Sequence, residues 1–420
     1  MAFDRRGILR AVAIVALLCI AACGAAAAAG DRPNALDRRV DAIPATALIS
    51  QPATALVDGP RQAAAIRLAH LTLPGFLAAA LFEFVALLYF WSSGTAAAWR
   101  NRLRSQVRNE WWVRFFFGAT LALVARAAAL LPAFYLYRVD RVMELTTALT
   151  RTWAAWWILH TLVATIVAGL IAAVILWLAD RTHQWYLFAI GAILGVSVLW
   201  SYASPYLSLS GTTIVPASGE TGDRIHAMLS NAGISSVPVL IQSTSNSPVG
   251  NAFVLGLGNS RRIVLTDTLI AGGTPAEVLY AIAYQIGLIL HHDLLFVALI
   301  EGGIVIVFSA VAVVIADRIG FRRDDDPVSR LALVGALLAV VYVAAVPVRN
   351  AALRSYVFDD DRYAVSLTGD RAAAIRAIVR GTDQQMEEVC PEMLTSFFLA
   401  THPSPAARIA AIGGVPNACP

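Results

Sequence analysis

The sequence predicts a mainly α-helical protein that crosses a membrane several times and carries a small α/β domain, on three observations. Hydrophobic residues make up 58% of the 420 and the mean hydropathy is +0.66, too apolar for a water-soluble chain of this size. Apolar runs of roughly 20 residues recur, the length a helix needs to cross a bilayer. Between them, Gly222 to Leu269 breaks into short β-branched runs separated by Gly and Ser turns, the pattern of a small sheet.

At the start, Arg5, Arg6 and Arg10 precede the apolar run Ala11 to Ile20, the layout of a bacterial export signal. Residues 20 to 24 also resemble a lipobox, with Cys23 as the lipidation candidate; an uncleaved anchor over Gly7 to Ala29 is the alternative. Either reading makes 1–29 a signal sequence or anchor and 30–70 an extracytoplasmic segment. Four spans follow in 71–204: Leu71 to Trp91, Val113 to Leu136, Trp153 to Leu178 and Trp185 to Ala203. The loop between the first two holds Arg100, Arg102, Arg104 and Arg108 against Glu110. The positive-inside rule puts that loop in the cytoplasm, and alternation then puts the region after Ala203 outside.

Residues 205–420 form the second region. A helix is expected over Asp223 to Ala232, and strands over Val237 to Gln242, Ala252 to Leu257 and Ile263 to Thr266. Two further spans are expected at about 294–316 and 331–346, joined by a loop with Arg318, Arg322, Arg323 and Arg330 that again points to the cytoplasm. The predicted location is a bacterial-type inner membrane, with the α/β domain outside. On that side Cys390 and Cys419 are candidates for a disulfide, with two free thiols as the alternative. The net charge of +4 comes from arginines scattered in loops. No stripe of basic and aromatic residues appears, so nucleic acid is excluded as a partner.

The helix from Thr274 to Asp293 organises the second region. Thr274 is a capping residue, Pro275 suits the first helical position, and Glu277 completes a capping box. Upstream stand Asn251-Ala252-Phe253, Gly256 and Gly258, then Arg261 to Leu269. Downstream come Ser355 to Ala364 and then Thr401-His402-Pro403 with Arg408-Ile409. This order resembles the family-48 integral-membrane metallopeptidases, the type I CAAX prenyl protease and its bacterial relatives. Their pattern is NAYxxGxG, RRIVLxDTLL, HELGH, ExxxD and a terminal THPxxxxRI. The resemblance covers residues 220 to 412 and implies a small metallopeptidase-like domain of gluzincin type.

It also implies a degenerate zinc site. Tyr284 stands at the first histidine, Gln285 at the catalytic glutamate, Leu288 at the second histidine and Val357 at the glutamate ligand, while Asp361 and His402 are retained. A neutral amide takes no proton from water, leucine and valine offer no lone pair, and a tyrosine ligates only as a costly phenolate. The expected function is therefore that of a catalytically inactive membrane metallopeptidase homologue, a pseudoprotease without a cofactor. It would bind a peptide or membrane-protein partner through the strand at Asn251, Ala252 and Phe253, because strand addition needs backbone groups rather than zinc.

The alternative is an active membrane metalloendopeptidase with displaced zinc ligands drawn from His291, His292, Asp361 and His402. Asp293, Asp359 and Asp360 are further contributors in sequence. Adjacent helical residues point about 100° apart, so His291 and His292 do not easily share one ion. In the vacated site a hydrogen bond from Tyr284 to Asp361 is expected. Within the spans, Glu83, Arg126 and Glu301 are ionisable, and Arg126 is expected to pair with one of the two acids. His160 reads as a helix-packing or interfacial residue rather than a ligand.

Overall fold

The computed structural model describes residues 38–209, 212–243, 247, 249–320 and 326–419. The export signal and Cys23 lie outside the described residues. Two short helices, α1 (Ala45–Ser50) and α2 (Ala53–Leu56), lead into α3 (Gly59–Ser92). This first long helix begins twelve residues before the apolar run. Asp58 caps it by accepting from the Arg61 N–H at 2.9 Å, Pro60 sits in its first turn, and Ala63 to Ala65 have high helix propensity.

Next come α4 (Thr95–Gln106), α5 (Glu110–Val142), α6 (Thr150–Ala179) and α7 (Trp185–Ser208). Among the described residues six helices are long and apolar enough to cross a membrane: α3, α5, α6, α7, α11 (Asp293–Gly320) and α12 (Pro327–Thr368). Their large outward side chains, such as Val196, Leu199 and Trp200 on α7, are exposed. A bilayer is the environment in which such a face is stable. Arg100 and Arg104 reach Asp326 at 3.5 and 2.6 Å, so the two arginine-rich connections meet at one end of the bundle.

The small domain begins with β1 (Ile214–Pro216), a strand the sequence pattern did not reveal. It continues with α8 (Gly219–Asn231), β2 (Val239–Gln242), β3 (Ala252–Leu255), β4 (Arg262–Thr266), α9 (Asp267–Gly272) and α10 (Pro275–Leu290). The sheet order is β1-β2-β4-β3, with β2 and β4 parallel and the two outer pairs antiparallel. Gly256 ends β3 at φ 89°, where a Cβ would stand 2.4 Å from the Ser260 carbonyl oxygen. Only glycine fits there.

Helix α12 departs most from expectation. It does not stop near Val346 but runs unbroken for 42 residues, through Pro347, until Gly369 ends it in the left-handed conformation at φ 69°. At 1.5 Å per residue it is roughly 63 Å long, about twice the hydrocarbon thickness. Its first half therefore spans, and its second half carries Val357, Asp360 and Asp361 into the small domain.

Helices α13 (Arg371–Gln385), α14 (Met393–Phe398) and α15 (Pro405–Gly413) close the fold. Cys390 and Cys419 are joined as a disulfide beside α15. Segment 38–58 packs on the same domain, with Val40, Leu48 and Leu56 against Ile375, Val379 and Ile409. Buried arginines tie it down: Arg61 donates to the Asp383 carbonyl at 3.0 Å, and Arg380 reaches Asp41 at 2.6 Å.

Within the bundle, the charged groups pair by helix adjacency. Glu301 meets Arg349 at 2.7 Å, because α11 packs along α12, so of the two acids it is Glu83 that is left to Arg126. Arg126 lies over the Trp157 ring at 3.7 Å and interacts by charge with Glu83 on α3. His160 contacts the Trp156 carbonyl of its own helix through Nδ1 at 2.8 Å.

Candidate functional site: the degenerate metallopeptidase cleft

Helix α10 is held at both faces and at its start. The Thr274 hydroxyl accepts from the Glu277 N–H at 3.4 Å, and the Glu277 carboxylate accepts from the Thr274 N–H at 2.6 Å. The same buried carboxylate pairs with Arg380 at 3.0 and 3.1 Å. Val278, Ile282, Ile286 and Ile289 pack on the sheet and α8, while Tyr280 and Ala283 pack toward α13 and α15. A helix apolar on two faces is buried on both, which fixes the cleft residues between those faces.

Zinc does not fit the position the family uses. Leu288 and Val357 present hydrocarbon, and Val357 is buried. The Tyr284 phenol is pushed well above its ordinary range by burial, only partly offset by Arg408, so a phenolate ligand is disfavoured further. The Arg408 guanidinium, 5.6 Å from the Tyr284 ring centroid, places a fixed cation there instead.

Asp361 is retained, but its partners are not the expected ones. Tyr280, not Tyr284, donates to Asp361 Oδ1, at 2.6 Å. Arg408 completes a bidentate pair with the same carboxylate at 2.8 and 2.7 Å. Tyr280 lies one turn before Tyr284 on the same helix and is almost wholly buried, so its hydroxyl needs a partner and takes the carboxylate. Sequence reasoning missed it because only position 284 belonged to the family motif. His402 lies against Thr401, with Nδ1 3.1 Å from Oγ1. Burial and then the Arg408 charge push its imidazole down to about 4, with Asp361 opposing.

Gln285 joins the cleft helix to the sheet. Its Nε2 donates to the Ala252 carbonyl at 3.1 Å, and its Oε1 is buried without a hydrogen-bond partner. β3 is an edge strand, paired on one side with β4 through Ala252–Leu265, Phe253–Val264 and Val254–Ile263. The Asn251 carbonyl accepts from the Thr266 N–H at 3.0 Å, which turns that group inward. Its side-chain Oδ1 accepts from the Ala252 N–H at 2.9 Å. Alternation along a strand turns Val254 to the same outward side as Ala252.

The alternative ligand set is not assembled. His291 contacts Asp360, with Nδ1 2.9 Å from Oδ1. His292 is an exposed turn residue at φ 61°, Asp361 is engaged by Arg408 and Tyr280, and His402 lies beside Thr401. The structure instead gathers His291, Asp293 and Asp360, whose candidate ligand atoms all lie within 4.8 Å of one another. Nothing in the run Asp359 to Asp361 singles out Asp360 by sequence alone. Helical rotation makes that choice: Asp359 faces solvent, and Asp360 and Asp361 are buried on two different sets of partners.

Residues 218–415 match the model of peptidase family M48. A Bacillus subtilis (strain 168) protein described as an uncharacterized metalloprotease, YhfN, is 24% identical over 288 residues, covering 65% of this chain and 67% of that one. The crystal structure of S. mikatae Ste24p superposes with a TM-score of 0.70 at 17% identity, over 96% of this chain and 98% of that one. Residues 218–415 thus form a peptidase family M48 domain, carried in a multi-span membrane protein with the fold of Ste24p.

Proposed function

We propose that this chain is a non-hydrolytic M48 membrane protein that holds an extended peptide, or a segment of a membrane-protein partner, along the outer edge of β3. One observation carries the reading. Gln285 occupies the place of the catalytic base, spans from the cleft helix to the Ala252 carbonyl and keeps a buried acceptor unpaired. An amide there accepts an N–H but removes no proton from water. Loss of the family's zinc ligands at Tyr284, Leu288 and Val357 supports the same conclusion, and no cofactor is needed for strand addition.

In this reading a peptide strand pairs with the outward N–H and C=O of Val254, and one of its N–H groups reaches Gln285 Oε1. Asn251 caps the neighbouring Ala252 N–H and so limits where pairing begins. The arginine-rich end of the bundle faces the cytoplasm of a bacterial-type cell and the M48 domain faces outward, a placement supported by Arg100, Arg102, Arg104 and Arg108.

The test is a photo-crosslinking amino acid at Phe253 in the full-length protein in detergent, with a peptide library, beside a hydrolysis assay of the same peptides. Cross-linking that is lost in Val254→Pro, without hydrolysis, is the expected result. Hydrolysis by the wild-type chain that disappears in Gln285→Ala would overturn the reading, as would cross-linking indifferent to Val254→Pro.

A further inference from the structure

We infer that His291, Asp293 and Asp360 form a binding site for one divalent first-row cation such as Zn2+ or Mn2+, separate from the family's zinc position. The candidate ligand atoms already lie within 4.8 Å of one another. Two of the ligands stand three residues, about one turn, beyond a lost family ligand: His291, the residue that caps the C-terminus of α10, after Leu288, and Asp360 after Val357 on α12.

The two carboxylates carry the argument. Asp293 is 4% exposed and Asp360 fully buried, and the Oδ2 atom of each is buried without a hydrogen-bond partner. A buried carboxylate is stable only when paired, protonated or bound to metal. Among the described residues, the ion-pair partner of Asp360 is His291. Arg362, which lines the adjoining cavity, pairs with Asp359 at 3.2 Å and is largely exposed. Two carboxylates and a neutral imidazole bring a charge of −2, which one divalent cation cancels.

The backbone is also arranged for the cluster. Gly287 leaves room for Asp360, since a Cβ there would stand 3.0 Å from Oδ1. His292, left-handed at φ 61°, reverses the chain between α10 and α11 and returns Asp293 toward His291. A cavity of about 440 Å³, lined in part by His291, Asp293 and Tyr363, adjoins the cluster. It gives an ion a path and gives water the coordination positions that three protein ligands leave open. One imidazole nitrogen with two carboxylate oxygens suits Zn2+ or Mn2+ and disfavours copper(I), which prefers sulfur. The ion would join the α10–α11 junction to the lower half of α12.

The competing account is a single proton shared between Asp293 and Asp360. Full-length protein in detergent, freed of metal with a chelator, is dialysed against Zn2+ or Mn2+ separately and its metal content measured. One equivalent per chain is expected, with affinity lowered at least tenfold in Asp360→Asn and in Asp293→Asn, and unchanged in Asp359→Asn. Thermal unfolding of each metal-free variant establishes that it is folded. Pulsed electron paramagnetic resonance of the Mn2+ form is expected to show one histidine nitrogen that vanishes in His291→Gln. Absence of stoichiometric binding of both ions to the wild type overturns the site, as does equal binding by folded Asp360→Asn and Asp293→Asn. The peptide reading rests on Gln285 and β3 and is tested by cross-linking, so either proposal can fail without the other.

Discussion

Asp361 accepts three hydrogen bonds from two side chains at a buried position, so its partners contribute unequally. Arg408→Leu leaves the carboxylate without its counter-charge and is expected to cost about 3–5 kcal/mol. Tyr280→Phe removes one neutral donor and is expected to cost about 1–2 kcal/mol; urea unfolding in mild detergent measures both. Tyr284→Phe, which removes a hydroxyl with no bond to Asp361, should cost less than Tyr280→Phe. His402 sets a pH dependence. Its value of about 4 in the folded chain lies below the ordinary 6.5, so between those values the unfolded chain binds a proton that the folded chain does not. Stability is therefore lost as pH falls from about 6.5 toward 4 and is unaffected by this group above that window. His402 is exposed, so solvent screens the effect and keeps it small. His402→Asn is expected to reduce the loss of melting temperature between pH 7 and 5.

At the scale of elements, the contact of α10 with α12 depends on Gly287. Gly287→Ala drives a methyl group against Asp360 Oδ1 at 3.0 Å, and an overpacking cost of about 1–3 kcal/mol is expected. Loss of melting temperature in the metal-free protein measures it. The covalent link closes the C-terminal end differently. Cys390 and Cys419 are 29 residues apart, so the chain-entropy model assigns the bond about 3–4 kcal/mol. Cys390→Ser should lower the denaturant midpoint by a corresponding amount and loosen α15, which carries Arg408 on its exposed-to-buried boundary.

For the whole molecule, the question is which way the bundle sits. The two arginine-rich connections meet at Asp326, while segment 38–58, the sheet and α13 to α15 gather into the M48 domain. The proposed orientation predicts that a membrane-impermeant maleimide labels Ser230→Cys from outside the cell above the native-cysteine background, and does not label Ser105→Cys. Both positions are exposed. The reverse pattern would invert the bundle. It would also place the Cys390–Cys419 pair in a reducing compartment, where a disulfide is not maintained.

Span positions, the capping of α10, the ionisable residues Glu83, Arg126 and Glu301 within the spans and the replacement of the family's motif residues at Tyr284, Gln285, Leu288 and Val357 were all legible in the sequence. Each follows from local properties: run length, cap chemistry or the donor atoms of a single side chain. The tertiary structure decided which tyrosine meets Asp361, which arginine meets Glu301, and which aspartate of Asp359 to Asp361 joins His291. Those choices depend on how far helices α10 and α12 are rotated against each other, and on α12 continuing past Pro347 into the small domain. A long-range contact is set by the packing of two helices, and no residue pattern within either helix specifies that rotation.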